Sequence, residues 1–443
     1  MRITLVVHQF PPRYFTGTER YALAVGRELQ RRGHEVRVFA LDPEFGEEAG
    51  PFRTVRESVE GLEVTRFNYW MWLHRDWARL EYRHPWAAEF FARHLHASRS
   101  EIVHAFHLRY VGADLIRAAR AAGVPVAVHL TDFWFLCPRV TLVDGTGKNC
   151  EGPPNGGEGC ISCHDPDLAT AWESSPVRDE ASEFLRRARG LSSPGKTPLR
   201  RAATFIDRPH YLQTRLLEAR AILAPTRFLA SVFASNGIPA DRIRHQPYGI
   251  DVRRLAAVRK RTMPEDRPVT FGFIGTIAPH KGPHVLAEAM QHVQGPCRVL
   301  FIGRTSDFPA YSERLARSVA ADSRMEIRPP FDEESLPRVM EEIDALVVPS
   351  LWHENAPFVV LEARAAGRPV LASAQGGLAE VVRDGVDGEL FRSGDHADLG
   401  RRLQRLLHDR QRLRRLADSV VPPRDLSSAV DELEETYGEI RPA

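Results

Sequence analysis

The segment from Ala345 to Ser373, ALVVPSLWHENAPFVVLEARAAGRPVLAS, constrains the fold of this chain more than any other stretch. ALVVP has the look of a short buried parallel strand. APFVVLEARAAG follows with apolar residues at helical spacing and a Gly where helices stop, and RPVLAS makes a second strand. In such a strand, helix, strand unit the helix N-terminus opens at the carboxyl edge of the sheet, where ligands of open α/β folds bind and unpaired N–H groups attract anions. Asn355, Ala356, Pro357 and Phe358 fall at that opening, Glu354 in the turn before it and Glu362 along the helix. Backbone amides and roughly half a positive charge of helix dipole suit a phosphate, and two carboxylates suit sugar hydroxyls. Two Glu at this spacing also occur as a solvated acid and a helix-surface acid, so the pair alone leaves both readings open.

A second segment narrows the choice. FGFIGTIAPHKGPHVLAEAM, residues 271–290, is another apolar strand, a Gly-containing loop with Gly275 and Thr276, and then Lys281 and Gly282 opening a helix. Of 60 basic residues only Lys148, Lys196, Lys260 and Lys281 are lysines. Where Arg serves almost everywhere else, a Lys at a helix mouth suits a phosphate that needs a compact point charge.

Together these segments resemble the retaining glycosyltransferases of family 4, which have the two-domain GT-B fold and use nucleotide-sugar donors. The resemblance rests on Pro349, Ser350, Glu354, Glu362, Ala363, Gly367, Pro369 and Val370, which stand where that family places its donor-holding pattern. It implies that Glu354 binds the donor sugar, Glu362 the ribose hydroxyls and Lys281 the diphosphate. The family often has an Arg after the strand Gly; this chain has Thr276, so Arg304 or another Arg would have to supply the second cation.

The first half reads as another α/β unit: strand RITLVVHQF, loop PPRYFTGTE, helix RYALAVGRELQRRG and strand EVRVFAL. The loop lacks G-x-G-x-x-G, which disfavours a dinucleotide dehydrogenase. The family resemblance implies a Gly-Gly-x-Glu loop here, matched by Thr16, Gly17, Thr18 and Glu19, with a backbone contact at Gly17. Further strands are expected at EIVHAFH, VPVAVHLTDFWFLCP, AILAPT and IRHQPYGID. The family's His-Asp pair near the reacting sugar is represented by Thr131 and Asp132, which makes Asp132 a catalytic candidate. His107 and His129 are the nearby histidines, although a lone His at a strand end is more often a structural hydrogen bonder.

Four of the five cysteines, Cys137, Cys150, Cys160 and Cys163, form C-x12-C-x9-C-x2-C in a Gly-, Pro- and Asn-rich loop. In a reducing compartment such clustering argues for metal over disulfides. A structural zinc is expected, with an iron–sulfur cluster and unliganded thiols as the alternatives; no cofactor is expected to be required for catalysis. This loop marks the chain as a four-cysteine subgroup within the family. Asp165, Pro166 and Asp167 form an aspartate-x-aspartate sequence, but no apolar strand precedes it, so coincidence is the expectation. Between Arg178 and Arg220 ten basic and five acidic side chains accompany Phe184, Leu185, Leu191, Leu199, Phe205 and Ile206. A solvated helical insertion explains that pattern, and contact with anionic lipid through Arg186, Arg187 and Arg189 is the alternative.

At 443 residues the chain has room for about two or three domains. With 43% hydrophobic residues real cores are affordable, and a formal charge of +2 gives no electrostatic case for nucleic acid. No apolar run reaches the roughly 20 residues of a membrane helix, so a cytoplasmic protein is expected, with peripheral contact to the inner membrane face as an option. The expected architecture is α/β, GT-B: two Rossmann-like domains facing a deep interdomain cleft. Residues 1–252 would form the acceptor-side domain, with a cysteine-rich insertion near 137–165 and a returning C-terminal helix at 428–443. Residues 253–427 would bind the donor after a connection between Asp251 and Pro268. The expected activity is transfer of a sugar, of hexosyltransferase type, to a glycan or lipid-linked hydroxyl acceptor in surface polysaccharide or glycolipid assembly. A nucleotide-sugar epimerase or phosphorylase, or a non-catalytic binding protein with a zinc knot, are the competing readings.

Overall fold

The computed structural model describes every residue except 15, 42–51, 70–76, 188–197, 261–266 and 443. The chain divides into two compact units, Met1–Pro247 with Leu426–Ala443, and Tyr248–Asp425.

The first unit is built on eight strands: β1 (Arg2–Val7), β2 (Glu35–Leu41), β3 (Phe52–Val59), β4 (Leu62–Tyr69), β5 (Ile102–Ala105), β6 (Val126–His129), β7 (Ala221–Ala224) and β8 (Ile243–His245). Their order is β3-β4-β2-β1-β5-β6-β7-β8. All neighbours are parallel except β3 and β4, which form a hairpin. Its two-residue turn is Glu60 and Gly61, both with positive φ (47° and 87°), the backbone that matches strand twist in tight hairpins. This hairpin is not among the expected strands, although Val59-Glu60-Gly61-Leu62 carries the turn signal. The C-terminal helix Leu426–Ile440 packs in this unit: Tyr437 is fully buried and its hydroxyl meets His104 Nδ1 at 2.7 Å.

The second unit holds six parallel strands: β9 (Val269–Ile274), β10 (Cys297–Ile302), β11 (Met325–Arg328), β12 (Ala345–Val348), β13 (Val370–Ser373) and β14 (Gly388–Phe391), ordered β11-β10-β9-β12-β13-β14. Alternate residues enter two cores. Val299, Phe301, Ala345 and Val347 join one cluster, while Leu300, Ile302, Leu346 and Val348 join the other, so the sheet is covered on both faces as parallel sheets require. The connection expected between Asp251 and Pro268 starts instead as part of this unit, because Leu255 and Val258 are buried in its core; residues 261–266 lie outside the described residues.

Each sheet reverses its strand order once near the middle, between β1 and β5 in the first unit and between β9 and β12 in the second. At such switch points the loops leaving the carboxyl ends diverge to opposite faces and leave a crevice for ligands.

Candidate functional site

In the second unit the crevice is framed by the loops that follow β9 and β12. The β9 loop ends in a single 3-10 turn, Pro279–Lys281, and Gly282 then caps the helix Pro283–Ala289 with φ 67°. A Cβ at Gly282 would stand 2.0 Å from the Pro349 carbonyl oxygen, so this approach of the two loops needs glycine. Leu351 N donates to His280 O at 2.8 Å and stitches the loops together.

Across this seam Lys281 Nζ lies 2.7 Å from Glu354 Oε1. The same oxygen accepts from Ser350 Oγ and Trp352 Nε1, each at 2.8 Å. Lys281 also sits 4.9 Å from the centre of the Trp352 ring. Glu354 is buried. Burial pushes its carboxyl up, but the Lys281 charge and the three hydrogen bonds outweigh that and hold it below its ordinary value. Gly377 N donates to Glu354 O at 2.7 Å, and Gln375 Nε2 donates to the carbonyls of Ser350 and Trp352. Ser350 belongs to the pattern on which the resemblance rests, whereas Trp352 and Gln375 carry no such mark; the Gly376-Gly377 pair after β13 is the available signal for a tight loop here.

Asn355, Ala356 and Pro357 lead into the helix Phe358–Ala365, with Pro357 at its N-cap and Asn355 and Ala356 buried. Phe358 stacks on Tyr248 with ring centres 5.0 Å apart, and Glu362 is buried one turn further along the helix. Gly275 N and Ile277 N donate to Ile302 O and Arg304 O, which sets Thr276 beside the loop after β10. That loop, with the end of β11, lines a cavity of about 390 Å³ through Gly303, Arg304, Thr305, Arg328 and Pro329. The Arg304 side chain is half-exposed and pairs with Asp307.

The first unit carries different chemistry at its switch point. His8, just past β1, lies against His107, just past β5, with ring centres 4.2 Å apart. His107 Nδ1 accepts the Arg109 N–H at 3.1 Å, and its Nε2 lies 2.7 Å from Asp132 Oδ2. With Nδ1 accepting, the proton sits on Nε2 and is donated to the carboxylate. Asp132 Oδ1 accepts in turn from Trp134 N. The histidine that meets Asp132 thus follows the neighbouring strand. His129 does not join: it is 1% exposed, packed among Tyr21, His104 and Phe106, and burial lowers its pKa to about 3. Gly17 is the first residue of the helix Gly17–Arg31, and Thr16 and Glu19 form its capping box. Glu19 is buried and its carboxylate lies 3.4 Å from His8 Nε2.

Cys137, Cys150, Cys160 and Cys163 all line one small cavity. Burial, followed by the neighbouring cysteines, pushes the Cys160 thiol up to about 12. Among the described residues no group of three or more His, Cys, Asp or Glu side chains is gathered in metal-binding geometry. Asp165 has a structural task, accepting from Leu168 N at 2.9 Å as N-cap of the helix Pro166–Glu173 and pairing with Arg201. Of the three arginines considered for lipid contact, Arg187 pairs with Glu183, while Arg189 and the side chain of Arg186 lie outside the described residues. Among the described residues no helix is long and apolar enough to cross a membrane.

D-inositol 3-phosphate glycosyltransferase of Nocardia farcinica is 36% identical over 195 residues, 41% of this chain and 43% of that protein. The enzyme of the same description from Salinispora arenicola is 31% identical over 232 residues, 46% of this chain and 52% of its own. The chain thus spans about half the length of the curated relatives it matches. Among solved structures, Anabaena Alr3699/HepE in complex with UDP-glucose superposes with a TM-score of 0.63 at 17% identity, covering 99% of each chain. Sucrose-phosphate synthase from Thermosynechococcus elongatus gives 0.64 at 17% identity over 99% of this chain and 98% of its own. These likenesses show the fold, GT-B. The family described as "Glycosyl transferases group 1" matches residues 256–420, and the one described as "Glycosyl transferase 4-like domain" matches residues 16–249. With its first unit covered by one family and its second by the other, the chain belongs to the glycosyltransferases of the family 4 type.

Proposed function

We propose that this protein is a glycosyltransferase that moves a sugar, with retention of configuration, from a nucleoside diphosphate to a hydroxyl acceptor. The observation that carries the reading is the Lys281–Glu354 pair at 2.7 Å, set at the switch point of the second sheet. A Lys ammonium has three donors, and one faces Glu354; the others would hold the leaving diphosphate as the glycosidic bond breaks, where negative charge develops. Glu354 Oε1 is taken by three donors, which leaves the other oxygen for a sugar hydroxyl. Arg304 would serve as the second cation. The nucleoside would enter the cavity beside it, whose size falls within the range of small-molecule pockets. The HepE neighbours carry UDP or UDP-glucose, which supports a uridine diphosphate sugar as the first donor to try. Glu362 would hold the ribose.

Residues 1–247 would then take the acceptor, a glycan or lipid-linked hydroxyl in surface polysaccharide or glycolipid assembly, with Asp132 and His107 as the pair that meets it. A thermal-shift panel of UDP-, GDP-, ADP- and dTDP-sugars tests the donor, since a ligand that binds only the native chain raises its melting point. Hydrolysis or transfer should accompany binding and be lost in Glu354→Gln and Lys281→Met with folding intact. Binding without turnover would turn the reading to a non-catalytic sugar-nucleotide binder, and no binding by any member of the panel would remove the donor assignment.

A further inference from the structure

The loop after β6 spends four cysteines in a region that the transfer reaction does not explain. Its path is irregular at considerable cost. Val140 and Leu142 hold φ of 72° and 50°, which bulky residues rarely adopt. Three separate pieces of chain bring the thiols together: Cys137 follows Trp134 and Leu136, Cys150 ends a turn bridged by Val143 and Asn149, and Cys160 and Cys163 lie on the helix Cys160–His164. All four line one cavity of about 20 Å³. That is room for a single water-sized occupant or ion.

Two further observations bear on what the cavity is built for. The Cys137 sulfur accepts the backbone N–H groups of Arg139 and Leu142. These donors offset only part of the burial that raises the thiol. Nearby is Arg208, 3% exposed, whose Nη2 donates to Trp134 O while its buried Nη1 makes no hydrogen bond. Cys137 and Cys160 are among the groups that act on it electrostatically, after Glu81. A cation buried in this way is costly unless negative charge lies close by.

We propose that Cys137, Cys150, Cys160 and Cys163 bind one zinc ion as a structural tetrathiolate site that fastens the loop after β6. Binding converts four thiols and Zn²⁺ into a tetrathiolate carrying a net charge of −2 and releases four protons, with no change of oxidation state. Arg208 offsets part of that charge. The four cysteines share one cavity wall without being gathered in metal-binding geometry, so binding would draw their sulfurs together. Zinc suits the donor set, being content with four sulfurs in tetrahedral array. The role is structural: the ion would hold Trp134 and Asp132, on the same loop, in place. This inference stands apart from the donor reading, since it concerns metal content rather than sugar nucleotides.

The test is made on the full chain, purified under reducing conditions without chelator. Elemental analysis should find about one zinc per chain. Thiol titration should find the four loop sulfurs shielded until the zinc is stripped or the chain denatured. Cys163→Ser should lose the zinc, whereas Cys297→Ala, at a buried cysteine in the second unit, should keep it. Because a loop variant can lose its fold, the unsubstituted protein decides. Absence of metal with thiols that react in the native state overturns the proposal. So do two disulfides found by mass, or a coloured protein with iron in place of zinc.

Discussion

The two units share a doubly wound topology and fill it with different residues. In the first, His8, His84, His94, His104, His107 and His129 are mostly or wholly shielded from water, and Arg208 is buried with them. In the second, the strands alternate apolar side chains into two cores, and the Lys281–Glu354 pair sits at the loop ends. Strand order creates a crevice in both, but the residues leaving the carboxyl ends decide its chemistry. One crevice pairs histidine with carboxylate, suited to placing a hydroxyl. The other pairs ammonium with carboxylate, suited to a phosphate beside a sugar.

Mild acid should break this comparison most strongly. Burial, with the Arg37 charge second, lowers His94 from 6.5 to about 4, and burial lowers His129 to about 3. Below pH 6.5 the unfolded chain takes up protons that the folded chain refuses, so stability is whole above that value and falls as the pH drops toward the folded values. At the end of the window the loss is about 3 kcal/mol for His94 and about 5 kcal/mol for His129, at about 1.4 kcal/mol per unit. Glu354 responds in the same direction but at lower pH: its lowered pKa keeps its ion pair formed above the ordinary 4.5 and lost only below it. Hydrogen exchange read by mass spectrometry at pH 7 and pH 5 should show protection lost in residues 1–247 before 248–425. Loss in the reverse order would sink the distinction.

The next largest effect is on turnover. Lys281→Met should lower kcat about 10²–10³-fold, or about 3–4 kcal/mol, as expected for removing a donor aimed at developing charge. Donor affinity should fall with it. His107→Gln, which leaves the second unit untouched, should lower turnover and spare donor affinity measured by calorimetry. Equal loss of donor affinity in both variants would erase the division of labour between the units.

Much of the second unit was legible in its sequence because parallel strands buried on both faces read as apolar runs: FGFIG, ALVVP and RPVLAS each became a strand. Lys281 stood out because lysine is scarce. Less of the first unit was legible. β3 and β4 alternate polar and apolar residues on an edge, and the Glu-Gly turn between them is brief. The meeting of His107 with Asp132 depends on β5 and β6 being neighbours, a fact of strand order that no local spacing encodes. Trp352 was hidden for the same kind of reason, since its role appears only once Glu354 turns back toward it.

A backbone change tests the second crevice more gently. Gly282→Ala puts a Cβ 2.0 Å from Pro349 O at a residue with φ 67°, so the two loops must part. A destabilisation of about 2 kcal/mol is expected from strain of this kind, with a weaker response to donor in the thermal-shift panel. Unchanged stability together with unchanged donor response would mean that the loops tolerate separation and that Lys281 is not held by this seam.

The smallest effect concerns the aspartate-x-aspartate sequence, whose two carboxylates invite comparison with a metal-diphosphate motif. Asp165 caps the helix Pro166–Glu173 and pairs with Arg201, while Asp167 lies in the first turn of that helix. Acids at both places favour a helix N-terminus without any metal. Asp165→Ala should therefore cost about 1 kcal/mol, the usual worth of an N-cap, and Asp165→Asn, which can still accept from Leu168 N, should cost less. Both variants should keep their turnover in the presence of a magnesium chelator. A carboxylate that held a metal-bound diphosphate would behave oppositely, since Asn would fail as badly as Ala and the loss would show in turnover while the melting point stood still.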